Sequence, residues 1–307
     1  MRPRERVRAM LDFQPTDVVA LECHPSPAGM YEHGVRLQEL FRRHPHDFGD
    51  FSNLPIPTPE PEFVQPDGSY CAIKTDGWGV VWKHLVFGIW GHPLKHPLAD
   101  WAALETWQAP PVPAPTGPDF AALQEQFRRH RETYYLRAGG GSILEVMRAV
   151  RRFEDCMVDL ALNSAEINRV ADIITEHDVA VMEYYVAAGV DGVAIGDDLG
   201  TQEALMIAPE MFRRFFAPRY ARILAPAREA GLDIFFHTCG QVWELLPDLA
   251  ALGVNALWPQ INLYDWPALR DRCRELGMAL QIHPDRSHIM TFGTPEQLWP
   301  PRQAPRS

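Results

Sequence analysis

From residue 120 onwards, helix-like and strand-like segments alternate with a regularity that restricts this chain to very few folds. The strand-like segments are apolar on both faces, which is typical of a parallel sheet covered by helices. They span residues 134–137, 192–195, 233–236, 255–258 and 278–282. Helices are predicted over residues 120–131, 164–188, 209–230, 242–252 and 266–276, and another begins at Ser142. The alternation predicts an α/β fold.

Two earlier segments add to the strand count. Residues 18–21 form an apolar run behind a predicted first helix, and residues 48–51 are a weaker strand candidate beyond a second helix. Together with the five later segments they make seven strands, whereas a closed (β/α)8 barrel needs eight. We therefore predict a (β/α)8 TIM barrel, an α/β fold, that lacks its last strand and helix.

The end of the sequence fits this shortfall. Thr294, Pro295 and Glu296 are a strong helix start, with a Thr cap and Pro in the first turn. Three prolines follow within residues 298–307, and each disfavours a helix interior by about 3 kcal/mol. We predict one barrel domain over residues 1–297 and an aberrant Pro-rich tail over 298–307, the mark of a truncation or an interrupted reading frame. A natural proline-rich tail is the alternative.

Residues 63–90 interrupt the helix–strand pattern. This segment has a Pro66-Asp67-Gly68 turn between β-rich stretches, and it contains Trp78, Trp82 and Trp90. We predict an antiparallel β excursion that folds over one end of the barrel.

Charge and cysteine usage exclude several classes of partner. The formal net charge of −11 disfavours nucleic acid and anionic membrane surfaces, because both bind through Lys and Arg. No apolar run approaches the length of a membrane-spanning helix, and no signal-peptide core follows the basic N-terminus. Five scattered cysteines make a poor disulfide framework. We expect a cytoplasmic protein with a small-molecule substrate, no nucleic acid and no membrane partner.

Ionisable residues are concentrated directly after the predicted strands. In parallel barrels the carboxyl ends of the strands carry the active site, so this concentration predicts an enzyme. The segments that follow successive strands begin at Glu22, Gly139, Asp197, His237, Pro259 and His283.

The His237-Thr238-Cys239-Gly240 segment is the strongest candidate for an active centre. In an extended segment, residues two apart point to the same side, so His237 and Cys239 can face one point. An imidazole and a thiolate suit Zn²⁺, which deprotonates a coordinated thiol. The structural alternative is a buried histidine beside an inert cysteine.

Other strand-end residues are candidates for catalysis or substrate binding. Asp197 and Asp198 can supply a general base, a cation partner or a further metal ligand, although either can instead cap the helix or loop that follows it. The substrate-binding candidates are Glu22, His24, Asp76, Gln202 and Gln260. Asp76 lies in the β excursion, where it belongs either to a lid or to a plain turn. The Gly139–Gly141 run lacks a phosphate-binding motif, so we interpret it as a strand-to-helix turn.

Several of these stretches resemble the uroporphyrinogen decarboxylase superfamily. The similar segments are GVAIGDDLGTQ at 192–202, FFHTCGQVWELLPDLAALGVNALWPQ at 235–260, TDGWGVVW at 75–82 and FGTPEQ at 292–297. The resemblance covers nearly the whole chain up to residue 297 and implies a (β/α)8 barrel.

The resemblance implies one of two chemistries. True uroporphyrinogen decarboxylases use no cofactor and hold an acidic tetrapyrrole with arginines near the first strand, but no arginine occurs here between Arg8 and Arg36. The other branch comprises zinc-dependent methyltransferases that move a methyl group from a methylcorrinoid protein to a thiol. They carry an H-x-C motif, which His237 and Cys239 match, and a distant third cysteine, which has no match. Cys273, on a predicted outer helix, is a poor substitute.

Three hypotheses follow. The leading one is a methyltransferase-like enzyme with zinc on His237 and Cys239, Asp197 or Asp198 as an orienting group, and a corrinoid protein as partner. The second is a decarboxylase that acts on uroporphyrinogen or a smaller acid in porphyrin metabolism. The third is a truncated, non-catalytic barrel that binds a ligand. The sequence makes no prediction about the oligomeric state.

Overall fold

Helices surround a parallel sheet in the computed structural model, which describes residues 1–298. The strands are β1 Ala72–Thr75, β2 Val81–His84, β3 His92–Lys95, β4 Arg137–Gly139, β5 Gly192–Gly196, β6 Asp233–Thr238, β7 Ala256–Pro259 and β8 Ala279–Leu280. The helices are α1 Pro3–Leu11, α2 Pro27–Arg43, α3 Gly117–His130, α4 Ile143–Arg151, α5 Phe153–Leu162, α6 Ala165–Ala188, α7 Pro209–Met211, α8 Ala217–Glu229, α9 Leu246–Ala251, α10 Trp266–Glu275, α11 Ile289–Phe292 and α12 Pro295–Leu298. A π-helical turn, Phe212–Phe216, joins α7 to α8.

Strands β4 to β8 form a parallel sheet in chain order, as the alternation predicted. Alternate residues face opposite sides of each strand. On one side, large apolar residues such as Ile234 and Phe236 join the core shared with the helices. On the other side, Ala194, Ala256 and Ala279 are small and join a separate inner cluster. The same inner cluster also contains the large side chain of Phe235.

The strands predicted at residues 18–21 and 48–51 do not form, although both segments lie beside the sheet. The amide of Asp47 donates to the carbonyl of Leu21 at 3.0 Å, and the amide of Tyr135 donates to the carbonyl of Asp47 at 3.0 Å. Single hydrogen bonds at this spacing do not make a strand ladder. Glu22 also accepts a hydrogen bond from Gln281 Nε2 at 2.9 Å, just beyond β8. The two extended segments therefore bridge β8 and β4 without regular pairing.

Helix α1 covers the amino ends of the strands. Its Val7 and Leu11 pack into the inner cluster. Its Arg4 and Arg8 bind the buried carboxylate of Asp191, the residue before β5, with distances of 2.7 and 3.1 Å. Arg131 binds the same carboxylate at 2.9 Å. An ionic cluster thus attaches the N-terminal helix to the sheet.

The predicted β excursion is present as an antiparallel sheet of strands β1, β2 and β3. A short bridge between Val64 and Tyr70 precedes it, so the irregular region extends over residues 64–95. Asp76 forms the turn between β1 and β2, where its carboxylate accepts hydrogen bonds from the amides of Trp78 and Val80 at 2.9 Å.

Helix α12 begins where the Thr294-Pro295 signal placed a helix start, and the amide of Thr294 donates to Gln297 Oε1 at 2.8 Å. The tail predicted over 298–307 lies, beyond Leu298, outside the described residues. Within residues 1–298, no helix has the length and apolar character needed to cross a membrane.

Candidate metal centre and cleft

Strand β6 places His237 at its carboxyl end, with Cys239 just beyond the strand. The Nδ1 atom of His237 lies 3.0 Å from the carbonyl oxygen of Trp258. Because a carbonyl oxygen only accepts, Nδ1 must carry the proton, and the lone pair of a neutral ring is then on Nε2. Nε2 lies 3.5 Å from the Sγ atom of Cys239. The two residues of the H-x-C motif therefore face one point, as predicted.

Asp198 completes a cluster of three potential ligands. Its Oδ1 lies 3.8 Å from His237 Nε2 and accepts a hydrogen bond from the Cys239 amide at 2.8 Å. One ligand atom from each of the three residues lies within 4.8 Å of the other two. Burial lowers the pKa of His237 and so favours its neutral, ligating form. Burial, together with Asp198, raises the pKa of the Cys239 thiol.

This donor set fits a zinc ion. Zn²⁺ binds nitrogen, sulfur and carboxylate oxygen, and catalytic sites commonly use three protein ligands and leave one position open. The hydrogen bond from His237 Nδ1 to a backbone carbonyl is the second contact that orients metal-binding histidines. A zinc ion can thus be held by His237, Cys239 and Asp198. This ligand set does not need the distant third cysteine of the zinc-dependent methyltransferases.

Arg286 was not among the predicted site residues, although it contacts Cys239. Arg286 lies in the loop after β8, and its Nη2 is 3.4 Å from Cys239 Sγ. This guanidinium opposes the increase in the pKa of the thiol. Arg286 belongs to the polar run that begins at His283. The position of this run after a strand indicated a site, but it gave no reason to choose Arg286 within the run.

Asp197 has surroundings quite unlike those of Asp198. Its buried carboxylate accepts hydrogen bonds from the amides of Ile143, Leu144 and Glu145 at 2.8, 2.9 and 2.8 Å, and from the hydroxyl of Tyr220. These donors are the first amides of helix α4, so Asp197 caps a helix that follows the neighbouring strand. Asp197 thus has a capping role, but for α4, which precedes it in the chain, and not for the helix or loop that follows, as was predicted for either aspartate. Its catalytic role stays a prediction.

A cleft of about 530 Å³ opens beside the three potential metal ligands at the carboxyl end of the sheet. Its polar lining consists of Arg137, Glu145, Asp197, Asp198, His237 and Gln281. The Gly139–Gly141 run forms one edge. A Cβ atom on Gly140 would meet nothing within 4 Å, whereas one on Gly141 would lie 2.7 Å from the Oδ2 atom of Asp178. The glycine run is thus a tight strand-to-helix turn, as predicted.

Arg137 lies in the floor of the cleft, where Glu22 neutralises its charge. Its Nη2 pairs with Glu22, its Nη1 lies 3.1 Å from Gln281 Oε1, and its guanidinium stacks 4.7 Å from the centre of the Phe235 ring. Glu22 also lies 2.8 Å from the mostly exposed His24. Glu22 therefore fixes the Arg137 side chain in the lining of the cleft, and His24 contacts Glu22 from an exposed position.

Two other predicted substrate residues form a pair. The side-chain amides of Gln202 and Gln260 bond each other at 3.2 Å, and Gln260 Oε1 also accepts from the amide of Gly240 at 3.2 Å. The pair supports the backbone of the loop that carries Cys239. Asp76 lines a different cavity, between the antiparallel sheet and α4.

Comparisons with known proteins agree with this description. The family model described as Uroporphyrinogen decarboxylase (URO-D) matches residues 96–289, a segment that contains β4 to β8 and the three potential metal ligands. Over 110 residues the chain is 31% identical to "Methylcobamide:CoM methyltransferase MtaA" of Methanosarcina barkeri. That match covers 34% of this chain and 31% of the relative, so the chain spans about a third of that relative's length.

A solved structure matches a longer part of the chain. The fold is similar to that of a methyltransferase from Methanosarcina mazei, with a TM-score of 0.58 and 18% identity over 91% of this chain and 82% of that one. The predicted barrel-type α/β fold is confirmed, and so is the predicted resemblance to the uroporphyrinogen decarboxylase superfamily. The partial match to a methyltransferase agrees with the predicted resemblance to the methyltransferase-like branch.

Proposed function

Because the chain belongs to the uroporphyrinogen decarboxylase (URO-D) family, we propose that it is a methyltransferase-like member in which Zn²⁺ activates a thiol for methylation. The methyl donor in this proposal is a methylated corrinoid protein, and the acceptor is a small thiol. The observation that carries the proposal is the convergence of Asp198, His237 and Cys239 on one point at the rim of the cleft.

When bound, the zinc ion would lower the pKa of a coordinated thiol and so supply a thiolate at neutral pH. His237 and Cys239, whose ring and backbone orientations are fixed by hydrogen bonds, would hold the ion, and Asp198 would add a carboxylate oxygen. Arg286, beside Cys239, is placed to stabilise negative charge on sulfur. The cleft beside them admits the acceptor and the methyl group.

The methyl transfer needs no reagent besides the thiol and the methylated corrinoid. The thiol loses its proton to solvent, and a sulfur lone pair forms the new S–C bond. The Co–C bond breaks with its electron pair on cobalt, so that Co(III) of the donor becomes Co(I). The protein's residues orient the acceptor sulfur and exclude competing nucleophiles, which is the proximity contribution to catalysis.

The cleft favours this chemistry over decarboxylation of a poly-acid. Among the described residues that line it, Arg137 is the one arginine or lysine. The guanidinium of Arg137 already forms an ion pair with Glu22. A substrate with several carboxylates needs free bidentate partners, and the lining also contains carboxylates of its own.

The proposed partner and location follow from the same reasoning. The matched relative is named a methylcobamide:CoM methyltransferase, and we extend a corrinoid donor to this chain as part of the proposal. We also propose a cytoplasmic location, in keeping with five free cysteines.

Metal analysis tests the proposal directly. We expect the purified wild-type chain to contain about one zinc per chain and the variants Asp198→Ala, His237→Ala and Cys239→Ser to lose it. Cys23→Ser and His288→Ala, exposed and outside the cluster, are matched controls that should retain zinc. In cobalt-substituted protein, Cys239→Ser should lose the sulfur-to-metal charge-transfer band. A wild-type protein that binds no zinc under metal-replete conditions would refute the proposal.

An activity assay separates the chemistries. Wild-type enzyme mixed with methylated cobamide and a small thiol should consume free thiol and leave the cobamide in its Co(I) state, and Cys239→Ser should not. Release of carbon dioxide from uroporphyrinogen without methyl transfer would instead establish the decarboxylase.

A further inference from the structure

Cys239 lies in a segment that belongs to no helix or strand. Residues 239–242 connect the end of β6 to a short 3-10 turn that begins at Trp243. The hydrogen bonds of a ladder or a helix therefore do not fix this backbone. Its position depends on contacts with the loops that follow the neighbouring strands.

The loop after β5 provides the first set of contacts. The amide of Gly200 donates to the carbonyl of Cys239 at 3.3 Å, and the amide of Gln241 donates to the carbonyl of Thr201 at 2.8 Å. A Cβ atom on Gly240 would lie 2.1 Å from the carbonyl carbon of Gly200. The two backbones thus touch, and a displacement of Gly240 also moves its neighbour Cys239 relative to the loop after β5.

Tyr264 binds the same segment from the other side. It follows β7, directly after the 3-10 turn Ile261–Leu263. Its hydroxyl donates to the carbonyl of Gly240 at 2.7 Å and accepts a hydrogen bond from the amide of Val242 at 2.8 Å. Burial raises the pKa of Tyr264 to about 12, so the hydroxyl keeps the proton that it donates at pH 7. One side-chain group thus satisfies a backbone acceptor and a backbone donor of the segment.

We propose that Tyr264 is a positioning residue for Cys239. Its hydroxyl fixes the backbone just beyond the cysteine, and the contact of Gly240 with the loop after β5 then sets where the thiol lies. The Cys239 thiol consequently stays 3.5 Å from Nε2 of His237, where both can bind one ion. The zinc part of the proposal rests on the proposed function, whereas the backbone contacts of Tyr264 need no metal.

Zinc affinity tests the proposal. Tyr264→Phe keeps the ring and removes only the hydroxyl, so neither backbone contact can form. We expect competition with a chelator to show zinc affinity about tenfold below that of the wild type. In cobalt-substituted protein, the sulfur-to-metal charge-transfer band should shift, because the thiolate approaches the ion from a changed position. A loss of overall stability alone would not move this band.

Tyr135→Phe is the matched control, because it removes a hydroxyl from the same type of residue at the other end of β6. Tyr135 is fully buried, and its hydroxyl donates to Asp233 Oδ2 at 2.6 Å. This variant should keep wild-type zinc affinity and an unchanged cobalt band, even where its resistance to urea falls. Equal effects of the two variants, or wild-type zinc affinity in Tyr264→Phe, overturn the proposal.

Amide hydrogen exchange in the metal-free protein separates failure of this proposal from failure of the proposed function. If the wild type binds no zinc, the proposed function fails and exchange alone decides the role of Tyr264. Tyr264→Phe should then accelerate exchange of the Val242 and Cys239 amides about tenfold. The amide of Ile234, near the amino end of β6, should exchange as in the wild type. Unchanged rates at Val242 and Cys239 overturn the proposal.

A measurement on the wild type decides the question if Tyr264→Phe fails to fold. The hydroxyl proton of Tyr264 should give a separate NMR signal that exchanges slowly with water, because it is held by the carbonyl of Gly240. Tyr31, whose ring is about half exposed, serves as the control and should give no such signal. Exchange as fast at Tyr264 as at Tyr31 would mean that the hydroxyl does not hold the segment.

Discussion

The Nδ1 atom of His237 lies 3.0 Å from the backbone carbonyl oxygen of Trp258, on the neighbouring strand. Strands β6 and β7 pair in parallel with these two residues opposite each other. The sheet register itself therefore orients the imidazole, and Nε2 faces Cys239 and Asp198. A ligand fixed in this way loses little conformational freedom when it binds a metal.

This contact predicts the tautomer of His237. Since burial lowers its pKa from 6.5, the ring should be neutral at pH 7, with the proton on Nδ1. Long-range ¹H–¹⁵N NMR of histidine-labelled protein measures this, and added zinc should shift Nε2 while Nδ1 keeps its proton. The ring of His288, 80% exposed, serves as the control. A proton on Nε2 in the metal-free protein would contradict the geometry.

The two adjacent aspartates should respond differently to the same substitution. Asp197→Asn disturbs a buried cap with three amide donors and a tyrosine hydroxyl, so it should lower the free energy of unfolding by about 2–4 kcal/mol. Asp198→Asn should change stability by less than about 1 kcal/mol and weaken zinc binding by about tenfold or more.

Urea unfolding and zinc competition with a chelator measure the two effects. Each variant is the other's control, because the substitutions are identical and the positions adjoin. The reverse pattern, with zinc lost in Asp197→Asn, would restore the predicted catalytic importance of Asp197.

Features that depend on local sequence pattern were predictable. Strand β6 and its His237–Cys239 ending were recognisable because an apolar run stops at polar residues. The same criterion, an apolar run that stops at polar residues, wrongly predicted strands at residues 18–21 and 48–51. Whether an extended segment joins a ladder depends on its neighbours, and here the neighbours offer single hydrogen bonds.

The roles of individual site residues depended on distant contacts. Asp197 and Asp198 are identical in sequence terms, yet one caps α4, whose first three residues come more than fifty positions earlier, and the other reaches Cys239. Arg137 comes from β4 and pairs with Glu22, 115 positions away. Such pairings are decided by the tertiary fold, so spacing along the chain did not reveal them.

Two neighbouring glycines should differ in their tolerance of alanine. Gly140 and Gly141 both have positive φ, +153° and +141°, so each substitution introduces backbone strain of about 1–3 kcal/mol. A Cβ on Gly141 would also lie 2.7 Å from Oδ2 of the buried Asp178, whereas Gly140 faces open space. Gly141→Ala should therefore be the more destabilising of the two in urea unfolding. Equal losses would mean that Asp178 moves aside freely.

The Asp191 cluster predicts a particular pH dependence of stability. Burial alone opposes ionisation of Asp191, but hydrogen bonds from Arg4, the Leu136 amide and Arg131 outweigh it and hold the pKa below 3.8. A carboxyl group with a lowered pKa stabilises the fold above its unfolded value, and this contribution is lost as the pH falls through the folded value. Asp191→Asn should lower the free energy of unfolding by about 2–4 kcal/mol near neutral pH.

The difference in unfolding free energy between wild type and Asp191→Asn isolates this contribution from all other titrating groups. We expect it to be constant between about pH 5 and 7 and to shrink below the ordinary value of 3.8. Asp12→Asn, at an exposed position just after the same helix, should show no such trend. A difference that grows towards acid pH would mean that the arginines of α1 do not bind an ionised Asp191, and that apolar packing alone attaches this helix to the sheet.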